Sequence, residues 1–245
     1  MTFEPASAES LPDVRVSTGL DLLDRLLGGG LPRQSLVVIG GVPGSGKSIL
    51  TFHMMAQAVK QGAHAMLVTT IHQPVAKLRK QYSSLKFLGP TGIMDRLELF
   101  ELDTGVQSAS LNTLLNTIVR RIQETNVGGA VIDSFRAISD FAENRSQVWR
   151  FLGQLSAQAV QNGCVCVLVG EYSLPNDLSL PELAVADVVI YLEVERMVSS
   201  DLRTLRIYKM RGGSYIEGRQ AFSVNDEGIQ FVGSDQGQAE EVAGA

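Results

Sequence analysis

The chain is poor in the residues that anchor, cross-link or attract polyanions. Its 245 residues include two cysteines, one tryptophan, three histidines and 6% aromatics. Cys164 and Cys166 lie two apart in the apolar run 163–169, so a strand would turn both to one face as small buried hydrophobes. No histidine or further cysteine completes a metal set around them, and this use of cysteine fits a reducing cytosol. No apolar stretch nears the roughly 18 residues of a membrane span. Residues 1–12 carry Glu4 and Glu9, with no basic residue before Arg15, so no secretory signal is expected. The net charge of −5 gives no general attraction for nucleic acid or an anionic membrane. From Phe151 to Glu195 there is no Lys, Arg or His.

Against these absences stands one complete motif. Gly41-Val42-Pro43-Gly44-Ser45-Gly46-Lys47-Ser48 reads G-x-x-x-x-G-K-[ST], between the apolar run 35–40 and a helix-like stretch that takes in Ile49. Glycines at these positions let backbone N–H groups converge on phosphates, and the following helix adds its positive end. The motif predicts ATP held by residues 41–49, with Lys47 at the β and γ phosphates and the Ser48 hydroxyl on a Mg²⁺ ion. A Cβ at Gly40, Gly41, Gly44 or Gly46 is expected to intrude. The second ligand for Mg²⁺ is expected from Asp133, which closes the apolar run 129–132. An ordinary strand-end aspartate is the alternative.

The pattern of short apolar runs alternating with longer amphipathic ones predicts βαβ units around a mostly parallel sheet. Strands are expected near 35–40, 64–70, 97–102, 128–133 and 164–170. Helices are expected near 47–61, 74–87, 110–125 and 145–161. The helix at 110–125 would put Leu111, Leu114, Leu115, Ile118 and Ile122 on one face. After Ala186 four closely spaced runs, 188–194, 202–208, 219–224 and 229–232, predict antiparallel strands that extend the sheet. The domain expectation is a flexible segment at 1–14, one ATP-binding domain at 15–232 and a disordered, Gly-, Ala- and acid-rich tail at 233–245.

Ser17-Thr18-Gly19-Leu20-Asp21, Gly28-Gly29-Gly30-Leu31-Pro32, the phosphate loop, Asp133-Ser134 and Lys209-Met210-Arg211-Gly212-Gly213-Ser214 occur in that order. In this set of motifs the chain resembles the KaiC-like branch of the RecA/RadA ATPases over about residues 15–232. The resemblance implies a RecA-like P-loop core and a homo-oligomer, a hexameric ring or a filament, with ATP bound between subunits. It assigns Lys209 and Arg211 to the neighbour's γ phosphate. Spaced by two on a strand, they would share a face; a solvated basic strand end is the other reading of the pair. It also makes Glu171, after the strand that follows Asp133, a sensor of the site. Phe3-Glu4-Pro5-Ala6 is similar to the F-x-x-A segment that joins RadA-like subunits, and equally to a plain tail.

The chain departs from the family after its second core strand. Relatives of this kind carry adjacent glutamates there that polarise the attacking water, whereas this chain reads Thr70-Ile71-His72-Gln73-Pro74. His72 could take a proton and Gln73 could orient water; Glu101 and Asp103 are weighed for the site but favoured as structural. The expectation is therefore a slow ATPase used in signalling or regulation, with a regulatory protein as a possible partner. Two alternatives stay open: a module that binds ATP without hydrolysing it, and a DNA-recombination accessory. The basic-free span 151–195 and the acidic loop 171–177 argue against the last. The cluster Lys77, Arg79, Lys80 and Lys86 is expected to be a solvated helix face.

Overall fold

The computed structural model describes residues 14–70, 75–88, 93–102, 110–174, 176–197 and 201–232. In chain order the elements are β1 (Arg15–Val16), α1 (Asp21–Leu26), β2 (Leu31–Pro32), β3 (Leu36–Gly41), α2 (Lys47–Lys60), β4 (His64–Thr70), α3 (Val75–Tyr82), α4 (Ile93–Arg96), β5 (Leu97–Leu102), α5 (Leu111–Thr125), β6 (Val127–Asp133), α6 (Phe135–Ser139), α7 (Arg145–Asn162), β7 (Val165–Gly170), α8 (Pro181–Val185), β8 (Val188–Arg196), β9 (Asp201–Met210), β10 (Arg219–Asn225) and β11 (Gly228–Phe231). Of the expected segment 1–14, residues 1–13, with Phe3 and Ala6, lie outside the described residues, as do the expected tail 233–245 and Ile71, His72, Gln73 and Asp103.

Among the described residues nine strands form one sheet in the order β11-β10-β9-β8-β3-β7-β6-β4-β5. Neighbours from β8 to β5 run parallel, and β8 to β11 pair antiparallel. β8 thus has both roles, lying parallel to β3 on one edge and antiparallel to β9 on the other. A parallel strand covered on both faces reads as an unbroken apolar run, as Leu36-Val37-Val38-Ile39 does. Alternate side chains divide between two cores. Val37 and Ile39 pack with Leu50, Phe52, Met55 and Val59 of α2, and Leu36 and Val38 with residues of α5, α6 and α7. Each buried Leu, Ile or Val contributes about 1.5–3 kcal/mol.

The expected face of α5 is the buried one, Leu111, Leu114, Leu115, Ile118 and Ile122. Ser110 caps that helix by accepting the Thr113 N–H at 3.2 Å. The helix expected at 74–87 is shorter, because α3 ends at Tyr82 and a 3₁₀ turn at Lys86–Leu88 follows Ser83 and Ser84. Cys164 and Cys166 are fully buried in one core with their Sγ atoms 3.7 Å apart. The Ser17-Thr18 and Gly30 motifs turn the chain into the fold. Asp24 accepts Ser17 Oγ at 2.5 Å and Thr18 Oγ1 at 2.7 Å, and a Cβ on Gly30 would stand 2.5 Å from the Val16 carbonyl.

Candidate functional site

The ends of β3, β7 and β6 lie side by side, with Gly40 paired to Gly170 and Asp133 to Val169. That register brings the 42–46 loop, Glu171 and Asp133 to one edge of the sheet. The loop turns directly into α2, so Lys47 and Ser48 open a fourteen-residue helix. A Cβ on Gly41 would collide with the Leu192 carbonyl. Gly44 and Gly46 differ from expectation, since a Cβ meets nothing within 4 Å at Gly44 and only ordinary contacts at Gly46. Their need for glycine is conformational, with φ of +77° and +104°.

Ser48 Oγ donates to Asp133 Oδ2 at 3.2 Å, joining residues 85 positions apart. Lys47 Nζ donates to the carbonyls of Gly41 and Val42 at 2.9 Å each. Burial lowers the Lys47 pKa, while the charges of Glu171 and Asp133 oppose the fall. Burial raises the Asp133 carboxyl, against the Ser48 hydrogen bond and the Lys47 charge. Each is a partly desolvated charge that gains from a counter-charge, an anion for Lys47 and a cation for Asp133. Among the described residues no group of three or more His, Cys, Asp or Glu could hold a metal. A hydroxyl and one carboxylate would fit the sparse protein oxygen set of a Mg²⁺ ion that phosphate and water complete.

A cavity of about 330 Å³ adjoins the loop at Gly44 and Gly46 and the start of α2 at Ile49, and its other walls include Gln81, Tyr82, Arg203 and Val224. Tyr82 is 7% exposed and packs on Phe52 with ring centroids 4.1 Å apart. Arg203 Nε is buried and donates no hydrogen bond to the described residues. No spacing in the chain flags this wall. Tyr82 reads as one apolar position on a helix and Arg203 as one alternation on a strand.

Lys209 and Arg211 share a face, as their spacing predicts. Lys209 Nζ donates to the carbonyls of Leu183 and Ala184 at 3.1 and 2.8 Å. The Arg211 guanidinium donates to those of Val185 and Ala184 at 3.0 and 2.8 Å. Gly41 is level with Leu192, whereas Lys209 is level with Val189, three residues or about 10 Å lower along the sheet, and Met210 lower still. The structure therefore does not bring the pair to its own chain's phosphate loop. Glu101 accepts the Val75 N–H at 3.5 Å at the start of α3, a structural contact. Of the basic cluster, Lys86 pairs with Asp226 and Glu227, Arg79 donates to the Met94 carbonyl, and Lys77 and Lys80 are exposed.

A family model described as "ATPase: KaiC" matches residues 16–236. A UPF0273 protein of Methanopyrus kandleri is 26% identical over 232 residues, 88% of this chain and 91% of that protein. DNA repair protein RadA of Bacillus subtilis is 31% identical over 237 residues, 92% of this chain but 47% of RadA, so the chain spans about half that relative's length. The crystal structure of a KaiC-like protein from Pyrococcus horikoshii OT3 superposes with a TM-score of 0.74 at 23% identity, covering 90% of this chain and 100% of that one. At that identity the likeness is one of fold.

Proposed function

The chain belongs to the KaiC family of ATPases, and from that premise we propose that it is a Mg²⁺-dependent ATPase whose copies assemble, ring-wise, with each nucleotide shared between two subunits. The observation that carries the reading is the Ser48–Asp133 hydrogen bond at 3.2 Å beside the 42–46 loop, with Glu171 close enough for its charge to act on both Lys47 and Asp133. In this reading the loop N–H groups and Lys47 bind the triphosphate, and Ser48 and Asp133 hold the metal. Bound Mg²⁺ supplies charge neutralisation at the β and γ phosphates. Glu171, exposed at the strand end, orients the attacking water. The cavity walled by Tyr82 and Arg203 takes the nucleoside.

Sharing between subunits is supported by the register of β9. Lys209 and Arg211 cannot reach their own loop, so a phosphate contact from them has to be made in a neighbour. A cation given in trans this way is worth ~10³ to 10⁵ in turnover. The family's adjacent glutamates are replaced by Ile71-His72, which supports slow hydrolysis and a regulatory use of the cycle. It also keeps a second reading in view, ATP as a ligand that stabilises the assembly without turnover.

ADP release from Mg-ATP over a range of protein concentrations tests both, with the parent, Lys47→Ala and Arg211→Ala compared. Turnover that rises with concentration and is lost in both variants is the expected result. A parent that binds ATP, assembles and releases no ADP would establish the second reading instead.

A further inference from the structure

α8 is one turn of helix, and charged side chains hold it at both ends. In its first turn Glu182 is 2% exposed, and its ion-pair partner is Arg136, whose guanidinium stands 3.7 Å away. Glu182 Oε1 accepts no hydrogen bond from the described residues. Arg136 follows Asp133 by three residues and lies 5.8 Å from the ring centroid of Tyr172, the neighbour of Glu171. The first turn of α8 is thus attached to the two strand ends that carry Asp133 and Glu171.

At its other end the carbonyls of Leu183, Ala184 and Val185, which a helix leaves unsatisfied in its last turn, receive all four hydrogen bonds from Lys209 and Arg211. The Arg211 backbone N–H also donates to the Asp187 carbonyl at 2.8 Å. Five helical residues span about 8 Å. Through that short rigid piece, one chain's nucleotide site is connected to the basic pair on the far side of its sheet.

We propose that α8 is a relay between the nucleotide a chain binds and the cations it offers to its neighbour, with Glu182 and Arg136 as its positioning residues. A carboxylate withdrawn from water, with one cation beside it, follows that cation when it moves. A displacement of the segment after Asp133 is passed by Arg136 to Glu182 and so to α8. The four carbonyl bonds hold Lys209 and Arg211 parked on α8, and the pair has to give up some of them to reach a phosphate. Where α8 sits therefore sets how readily the pair is released. The inference rests on the shared-site reading above.

Mixed-subunit assays of ADP release test it. A mixture of Glu171→Gln, which binds nucleotide with little turnover and keeps its basic pair, and Arg211→Ala, which keeps its nucleotide site, regains turnover if sites are shared. Glu182→Gln alone loses about 10²-fold, the scale of a misplacement near 1 Å. Mixed with Glu171→Gln, Glu182→Gln is expected to regain at least tenfold, because its intact site is served by the cations of a chain that binds its own nucleotide and keeps its relay. Mixed with Arg211→Ala it stays inactive, because neither chain presents the pair. The reverse pattern puts Glu182 in its own site and overturns the relay, as does a Glu182→Gln chain that turns over like the parent. A variant that melts like the parent yet is rescued in neither mixture overturns it as well. If Glu182→Gln does not fold, Arg136→Lys, which keeps a cation beside the carboxylate, is taken through the same mixtures. A Glu171→Gln and Arg211→Ala mixture that stays inactive refutes the shared site itself, and the relay with it.

Discussion

Acidification loosens the seam between α2 and β11, and His53 is the group through which it acts. His53 Nε2 accepts the Ile229 N–H at 3.0 Å, and its ring stacks on Phe87 with centroids 3.8 Å apart. Burial, and after it the charge of Lys60, lowers the His53 pKa from 6.5 to about 4. The unfolded chain therefore takes up this proton near pH 6.5, and the folded chain only near pH 4. Stability from the neutral ring is complete above pH 6.5 and is lost as the pH falls towards 4. With the pKa falling from 6.5 to about 4 on folding, the loss through His53 is about 1.4 kcal/mol at pH 5.5 and about 2.5 kcal/mol at pH 4.5. Urea denaturation of the parent and of His53→Gln, at about pH 7.5, 5.5 and 4.5, measures it. Glutamine offers Ile229 an acceptor oxygen and does not titrate, so the difference between the two proteins isolates the ring. Parallel loss of stability in both would refute the assignment.

Gly228→Ala should cost about 2–4 kcal/mol, and a Tm lower by roughly 5–15 °C, because φ is +89° there and a Cβ would overlap the His53 ring; calorimetry reads the shift. Asp133→Asn retains an oxygen for Ser48 but not the charge, so Mg²⁺ affinity measured in the presence of ATP should fall ~10–100-fold while ATP alone still binds. Glu171→Gln should lower kcat by ~10² or more with little change in the KM for ATP. An unchanged kcat in steady-state ADP release would remove Glu171 from the reaction.

The parallel core is legible in the sequence because its strands are buried on both faces and its helices on one. Two periodicities, an unbroken apolar run and a 3.6-residue stripe, therefore carry nearly all the signal. Helices of four to six residues escape that reading. α1, α4, α6 and α8 are too short to show a stripe, and they form where a motif or a strand end leaves the chain beside an existing core. Leu23 and Leu26 of α1, Phe135 and Ile138 of α6 and Leu183 of α8 are buried by such neighbours. The shortening of α3 is local chemistry, since Ser83 and Ser84 bond back to the carbonyls of Lys80 and Gln81.

The site divides along the same line. Lys47, Ser48 and Asp133 can be read because each sits at a fixed offset from a strand end, whereas Tyr82, Arg203 and the Arg136–Glu182 pair meet only through the topology. The strand order also bears on the missing glutamates. β6 lies between β7 and β4, with Asp133 paired to Val169 on one side and Thr69 on the other. Asp133 is therefore flanked by the end of β7, which leads into Glu171, on one side and by the end of β4 on the other. In sequence, the four residues that follow β4, Ile71-His72-Gln73-Pro74, contain no carboxylate. Among the described residues, Glu171 and Asp133 are the two carboxylates whose charges act on Lys47, and Asp133 is engaged with Ser48. If water is activated by a described carboxylate at this site, the general base has moved from the β4 flank to the β7 flank. The loss of turnover in Glu171→Gln would then exceed that in any substitution at His72.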